Sequence, residues 1–69
     1  MKLGERIRMA RTERGLSQER LAIVLNTKQN VVSRWESDAR EPSWDMLRQI
    51  AIVLKCDGNF LLGLTDFPS

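Results

Sequence analysis

The sequence contains no histidine and no tyrosine. Without histidine it lacks the commonest general base, the commonest zinc ligand and the centre of any histidine-based triad. Hydrolytic or redox chemistry is therefore not expected, and no catalytic residue, metal site or cofactor is assigned. Cysteine occurs once, as Cys56, so no disulfide can close within the chain, and a lone thiol fits the reducing conditions of the cytoplasm. No uninterrupted apolar run comes near the ~20 residues that cross a bilayer, and no signal-like apolar stretch follows Met1. With 69 residues there is room for one domain and none for two lobes with a cleft between them.

What is present is the composition of a globular domain, 42% apolar and 29% charged. The charge is uneven. Residues 1–40 carry nine basic and five acidic side chains, a net of +4; residues 41–69 carry two basic and four acidic, a net of −2. Seven of the eight arginines lie in the first part. With their head groups reaching outward they would give a basic face suited to a polyanion. A solvated helical surface is the plainer reading of the same charges, and charge alone does not separate the two.

Hydrophobic spacing predicts five short helices and no strand. Leu3, Ile7 and Ala10 mark a helix from Gly4 to about Glu13, stopped by Gly15. Ser17 caps a second helix, which carries Leu21, Ala22 and Leu25. Asn26, tolerant of the left-handed region, supplies a tight turn. Thr27 is expected to cap a third helix, Lys28 to about Ser37, with a narrow apolar stripe of Val31, Val32 and Trp35. After the polar loop Asp38–Pro42, Ser43 caps a fourth helix with Leu47, Ile50, Ala51 and Leu54 at i, i+3, i+4 and i+7. Asp57 caps a short fifth helix bearing Phe60, Leu61 and Leu64. The helix-turn-helix domain is expected over residues 1–66, with a frayed tail over 67–69.

The stretch Ser17–Glu36 carries the functional signal. Two short helices meet at a turn, and the second pairs a thin apolar stripe with a broad face rich in amides. A helix that reads DNA needs that division: a few apolar anchors behind, and side chains in front that reach base edges in the major groove. Gln29, Asn30, Ser33 and Arg34 share that front face. Glutamine and asparagine can bond an adenine edge twice, and arginine a guanine edge. Trp35 is placed in the core by its spacing from Val31 and Val32 rather than against DNA, and Cys56 is placed as a small packing residue rather than a redox sensor.

The ordered set Leu16–Ala22, Val32-Ser33-Arg34-Trp35-Glu36, Pro42-Ser43, Leu47 with Ile50-Ala51 and Leu54, and Phe60–Asp66 resembles the phage-repressor-like helix-turn-helix family, the Cro and lambda-repressor type also called XRE. The resemblance runs from about Leu3 to Asp66. It implies an all-α, lambda-repressor-like fold with the helix-turn-helix in helices two and three. It implies base contacts from Gln29, Asn30, Ser33 and Arg34, and backbone contacts from Gln18, Lys28, Ser37 and Arg40, with Gln18 also bracing the recognition helix. It implies a structural pair, Arg11 and Glu36, tying helix one to the end of helix three. Many members of the family dimerise through the last helix, and the crowding of Phe60, Leu61, Leu62, Leu64 and Phe67 into eight residues of so small a domain leaves an apolar excess that places Leu62, Leu64, Phe67 and Trp44 at an interface between copies. Three positions depart from the pattern: Asn26 and Lys55 stand where the family has glycine, and Gly58 where it has an apolar residue.

The expected function is that of a sequence-specific double-stranded DNA-binding transcriptional regulator, a cytoplasmic repressor working as a homodimer on a near-palindromic operator. A single domain of this size buries only about 600–1,000 Å² on DNA, and two copies on half-sites one helical turn apart multiply the contacts. No length remains in this sequence for a ligand-sensing or protease domain, so control is expected through concentration, turnover or a partner protein. The alternative is an antitoxin-type module that binds a protein through helices four and five as well as its own promoter. No membrane association is expected.

Overall fold

Serine and aspartate set the starts of three helices. In the computed structural model, which describes residues 2–65, Ser17 Oγ accepts the Arg20 amide at 3.0 Å, Ser43 Oγ the Met46 amide at 3.1 Å, and Asp57 Oδ1 the Asn59 amide at 2.9 Å. Each satisfies a backbone donor that a helix leaves unpaired at its first turn. The five helices are α1 (Leu3–Glu13), α2 (Gln18–Val24), α3 (Gln29–Glu36), α4 (Trp44–Val53) and α5 (Gly58–Leu61), with no strand among the described residues. The expected cap at Thr27 is corrected: α3 begins one residue later, Lys28 is its N-cap, and no side chain closes it. The first turn closes on the backbone instead, with the Val31 amide donating to the Lys28 carbonyl at 3.0 Å.

All five helices end in the same way. The residue after each C-cap is left-handed: Gly15 (φ 69°), Asn26 (φ 58°), Asp38 (φ 62°), Lys55 (φ 50°) and Gly63 (φ 82°). In each case the following amide reaches back to a carbonyl in the last turn: Leu16 to Arg11, Thr27 to Ala22, Ala39 to Arg34, Cys56 to Ala51, and Leu64 to Asn59. These are Schellman closures, which satisfy carbonyls the helix would leave bare and reverse the chain in two residues. Only two of the five positions hold glycine. Asn26 and Asp38 tolerate the conformation through their short polar side chains. Lys55 has no such side chain, yet it adopts the conformation the family's glycine would. The Arg14 guanidinium holds the turn from outside, donating to the Leu54 carbonyl at 2.6 Å and the Lys55 carbonyl at 2.9 Å.

The core collects one or more residues from every helix: Ile7 and Ala10, Leu21 and Ala22 with Leu25, Val32 and Trp35, Ile50 with Leu54, Cys56, and Phe60 with Leu61. Trp35 is buried, as its spacing predicts. Cys56 is buried too, and burial pushes its thiol pKa up, helped by the Asp57 carboxylate and opposed by Arg14. The sulfur stays a neutral thiol at physiological pH, in keeping with a packing role. Leu64 does not belong to α5; it follows Gly63 in the closing turn and is exposed. Phe67 and the boundary between residues 66 and 67 lie outside the described residues.

The expected outward-reaching arginines need a larger correction. Arg6 is buried, with Nη1 2.9 Å from the Phe60 carbonyl and 2.8 Å from the Thr65 carbonyl, and its guanidinium 4.8 Å from the Phe60 ring centroid. Arg11 is bound to Glu36, and Arg14 to the end of α4. Three arginines of the basic half thus serve as ties from α1 to the other helices. Charge counting could not see this, because a guanidinium is as suited to carbonyls as to phosphate.

Candidate nucleic-acid interface

The recognition face is set by the angular order of α3. At roughly 100° per residue, Gln29, Ser33, Asn30 and Arg34 fall within an arc of about 140°. Val32 and Trp35 point the other way, into the core. Gln29, Asn30 and Arg34 are exposed and Ser33 is half-buried, so the structure brings the four candidate base-reading residues together on one surface. Lys28 stands exposed at the entrance to the helix and Ser37 and Arg40 just past its exit. The Ser37 hydroxyl donates back to the Arg34 carbonyl at 3.2 Å. These three flank the face at its two ends.

Behind the face runs a continuous polar chain. Arg11 Nε donates to Glu36 Oε2 at 2.6 Å and Nη2 to Oε1 at 2.9 Å, a two-pronged ion pair whose side chains are only 11% and 4% exposed. The third prong, Nη1, donates to the Leu16 carbonyl at 2.7 Å, so Arg11 also holds the loop that leads into α2. Gln18 Nε2 then donates to Glu36 Oε1 at 3.1 Å, and Gln29 Nε2 donates to Gln18 Oε1 at 2.9 Å. Three helices therefore meet through side chains whose order is Arg11, Glu36, Gln18, Gln29. Among the described residues no buried side-chain nitrogen or oxygen lacks a partner.

A second lock joins α1 to the far end of α3. The backbones touch at Gly4, where a Cβ would lie 2.5 Å from the Glu36 carbonyl oxygen and 2.6 Å from that of Trp35, so only glycine fits. The Gly4 amide donates to Asp38 Oδ1 at 3.0 Å. Asp38 thus combines the left-handed turn after α3 with a cap for the start of α1. Sequence reading places Gly4 only as a helix start and Asp38 only in a polar loop. The contact between them, 34 residues apart, has no local signal.

Away from α3 in the chain, α4 and α5 leave a largely apolar groove lined by Trp44, Leu47, Ala51, Leu61 and Leu62, with Arg48 and Asn59 among its polar residues. Trp44 is 65% exposed, Leu62 52% and Leu64 73%. Those expected at an interface between copies and lying within the described residues are therefore uncovered. Ile52 is exposed as well.

A family model described as Helix-turn-helix matches residues 7–61, which spans all of the elements just described except the first turn of α1. The chain belongs to the phage-repressor-like helix-turn-helix family. It is 35% identical over 63 residues to the HTH-type transcriptional regulator ImmR of Bacillus subtilis (strain 168), a match that covers 91% of this chain and 50% of ImmR. The chain thus spans about half the length of that curated relative. Its fold superposes on the crystal structure of the P22 c2 repressor in complex with the synthetic operator 9T, with a TM-score of 0.85 and 28% identity, covering 94% of this chain and 98% of that one. The family and fold are those of regulators rather than enzymes. No helix among the described residues is long and apolar enough to cross a membrane.

Proposed function

We propose that the chain is a sequence-specific, double-stranded DNA-binding transcriptional regulator of the repressor type, acting in the cytoplasm. The observation that carries this is the exposed face of α3, where Gln29, Asn30 and Arg34 face outward on a helix anchored from behind by Val32, Trp35 and the Arg11–Glu36 pair. The amide and guanidinium groups of that face match the donor and acceptor pattern of the major groove. Lys28, Ser37 and Arg40 flank it where phosphates would run, and Gln18 keeps a second Nε2 hydrogen for the same purpose. The P22 c2 repressor, seen with its operator on the same fold, supports the reading.

Arg34→Ala should cost about 1–3 kcal/mol on the preferred site and relax preference at one base pair, whereas Lys28→Ala should weaken every duplex alike and flatten the salt dependence. Titrations of specific and random duplexes across a salt series separate the two. An equal loss on both duplexes in Arg34→Ala would remove its base-reading role.

The chain works as a homodimer on a near-palindromic operator, with Leu62, Leu64, Trp44 and Phe67 between copies. Its support is the open groove of α4 and α5, together with the small area one copy can bury on DNA. A toxin-neutralising module would use the same groove against an unlike chain; self-association of the purified chain separates the two readings.

A further inference from the structure

A glutamine can present its amide in either of two orientations, and a face that reads adenine needs one of them. Adenine offers an acceptor at N7 and a donor at N6, so the reading glutamine must aim one N–H and one oxygen at it. We propose that Glu36, which sits two helical turns from the base-reading end of α3, fixes that orientation at Gln29 by way of Gln18. The inference rests on the reading of Gln29 as a base contact.

The chain of donors admits one polarity. A carboxylate only accepts, and both oxygens of Glu36 are held from the far side by Arg11. The Gln18 atom that meets Glu36 Oε1 must therefore be nitrogen, and at 3.1 Å it is Nε2. With its nitrogen committed, Gln18 turns its oxygen to Gln29, and only the Gln29 nitrogen can answer it, at 2.9 Å. Gln29 is left with a free oxygen and one free N–H, the complement of adenine. Reversing the chain would set the Gln18 oxygen against the buried carboxylate, two acceptors facing each other with no proton between them. Glu36 and Gln18 are thus positioning residues for specificity, and Arg11 holds both Glu36 oxygens from the far side.

Glu36→Gln keeps the shape of the side chain and gives it a donor as well, so the chain can run backwards. In that state Gln29 accepts from Gln18 and turns both N–H groups outward, toward the two acceptors of guanine. Gln18→Leu cuts the chain and leaves the Arg11–Glu36 pair whole. The experiment measures duplex affinities with each base pair of the selected site varied in turn, for the wild type, Gln29→Ala, Glu36→Gln and Gln18→Leu, all well below their unfolding temperatures. Gln29→Ala identifies the base pair concerned. At that pair the adenine-over-guanine ratio should fall roughly fivefold or more in both other variants, the lower end of one two-bond adenine contact. The ratio at the Arg34 base pair should stay where it was. Ratios cancel any general loss of affinity or of folded protein, so an equal fall at every base pair, or an unchanged ratio in either variant, would overturn the proposal. If Gln29→Ala altered no base preference, the base-reading role of Gln29 itself would be wrong.

Discussion

Arg11 and Glu36 show how a single pair can serve both stability and recognition. Each is nearly enclosed, so removing one strands a charge in a site that water reaches poorly. Arg11→Ala and Glu36→Ala should each cost more than a surface substitution, about 1–3 kcal/mol, with the double variant losing clearly less than their sum. Urea denaturation of the four proteins gives the coupling directly, and strict additivity would mean that the two side chains do not support one another in solution. The pair was legible in the sequence only through the family resemblance; spacing alone does not bring residues 11 and 36 together. Arg6 was legible in neither way. Its partners include the backbone carbonyls of Phe60 and Thr65, and a carbonyl carries no residue-type signal.

Among the elements, the helices themselves were legible because their signals are local. Ser17, Ser43 and Asp57 announce their caps, and Leu47, Ile50, Ala51 and Leu54 announce the buried side of α4. The start of α3 was misplaced because Thr27 has the right chemistry for a cap that the chain does not use. The closures were legible at Gly15 and Asn26 and obscured at Lys55, where a long side chain hides a turn that the packing of α4 against α5 and the grip of Arg14 impose. A left-handed residue other than glycine, asparagine or aspartate costs roughly 1–2 kcal/mol. Lys55→Gly should therefore raise stability, by ~1 kcal/mol after the greater freedom of glycine in the unfolded chain is set against the relief of strain. Thermal and urea unfolding check it; a loss of stability would show that the lysine side chain does more than occupy the turn.

For the whole molecule, α1 is the part that binds the rest together. Its first turn grips the end of α3 through Gly4 and the end of the described chain through Arg6, and its last turn holds Glu36, Leu16 and the α4–α5 turn through Arg11 and Arg14. The recognition face and the apolar groove are thereby carried on one set of packed helices. A domain tied together in this way can set two recognition helices at a fixed separation if two copies meet through the groove. Leu62→Glu should leave the monomer folded and lower operator affinity by at least tenfold, the loss of ~1.4 kcal/mol or more of contact between copies. Sedimentation with and without operator reports it, and one monomer per full site at saturation, with affinity unchanged in the variant, would remove the dimer.

The central claim is that the face of α3 reads a base sequence, and selection of binding sites from a pool of randomised duplexes addresses it most directly. The wild-type chain should enrich one sequence made of two inverted half-sites, centred about 10 base pairs apart as one turn of the double helix requires. Within each half-site, Gln29→Ala and Arg34→Ala should each erase the preference at a different base pair and spare the others. A pool that remains random after repeated rounds, or one whose enriched sequence is the same for the wild type and both variants, would contradict it.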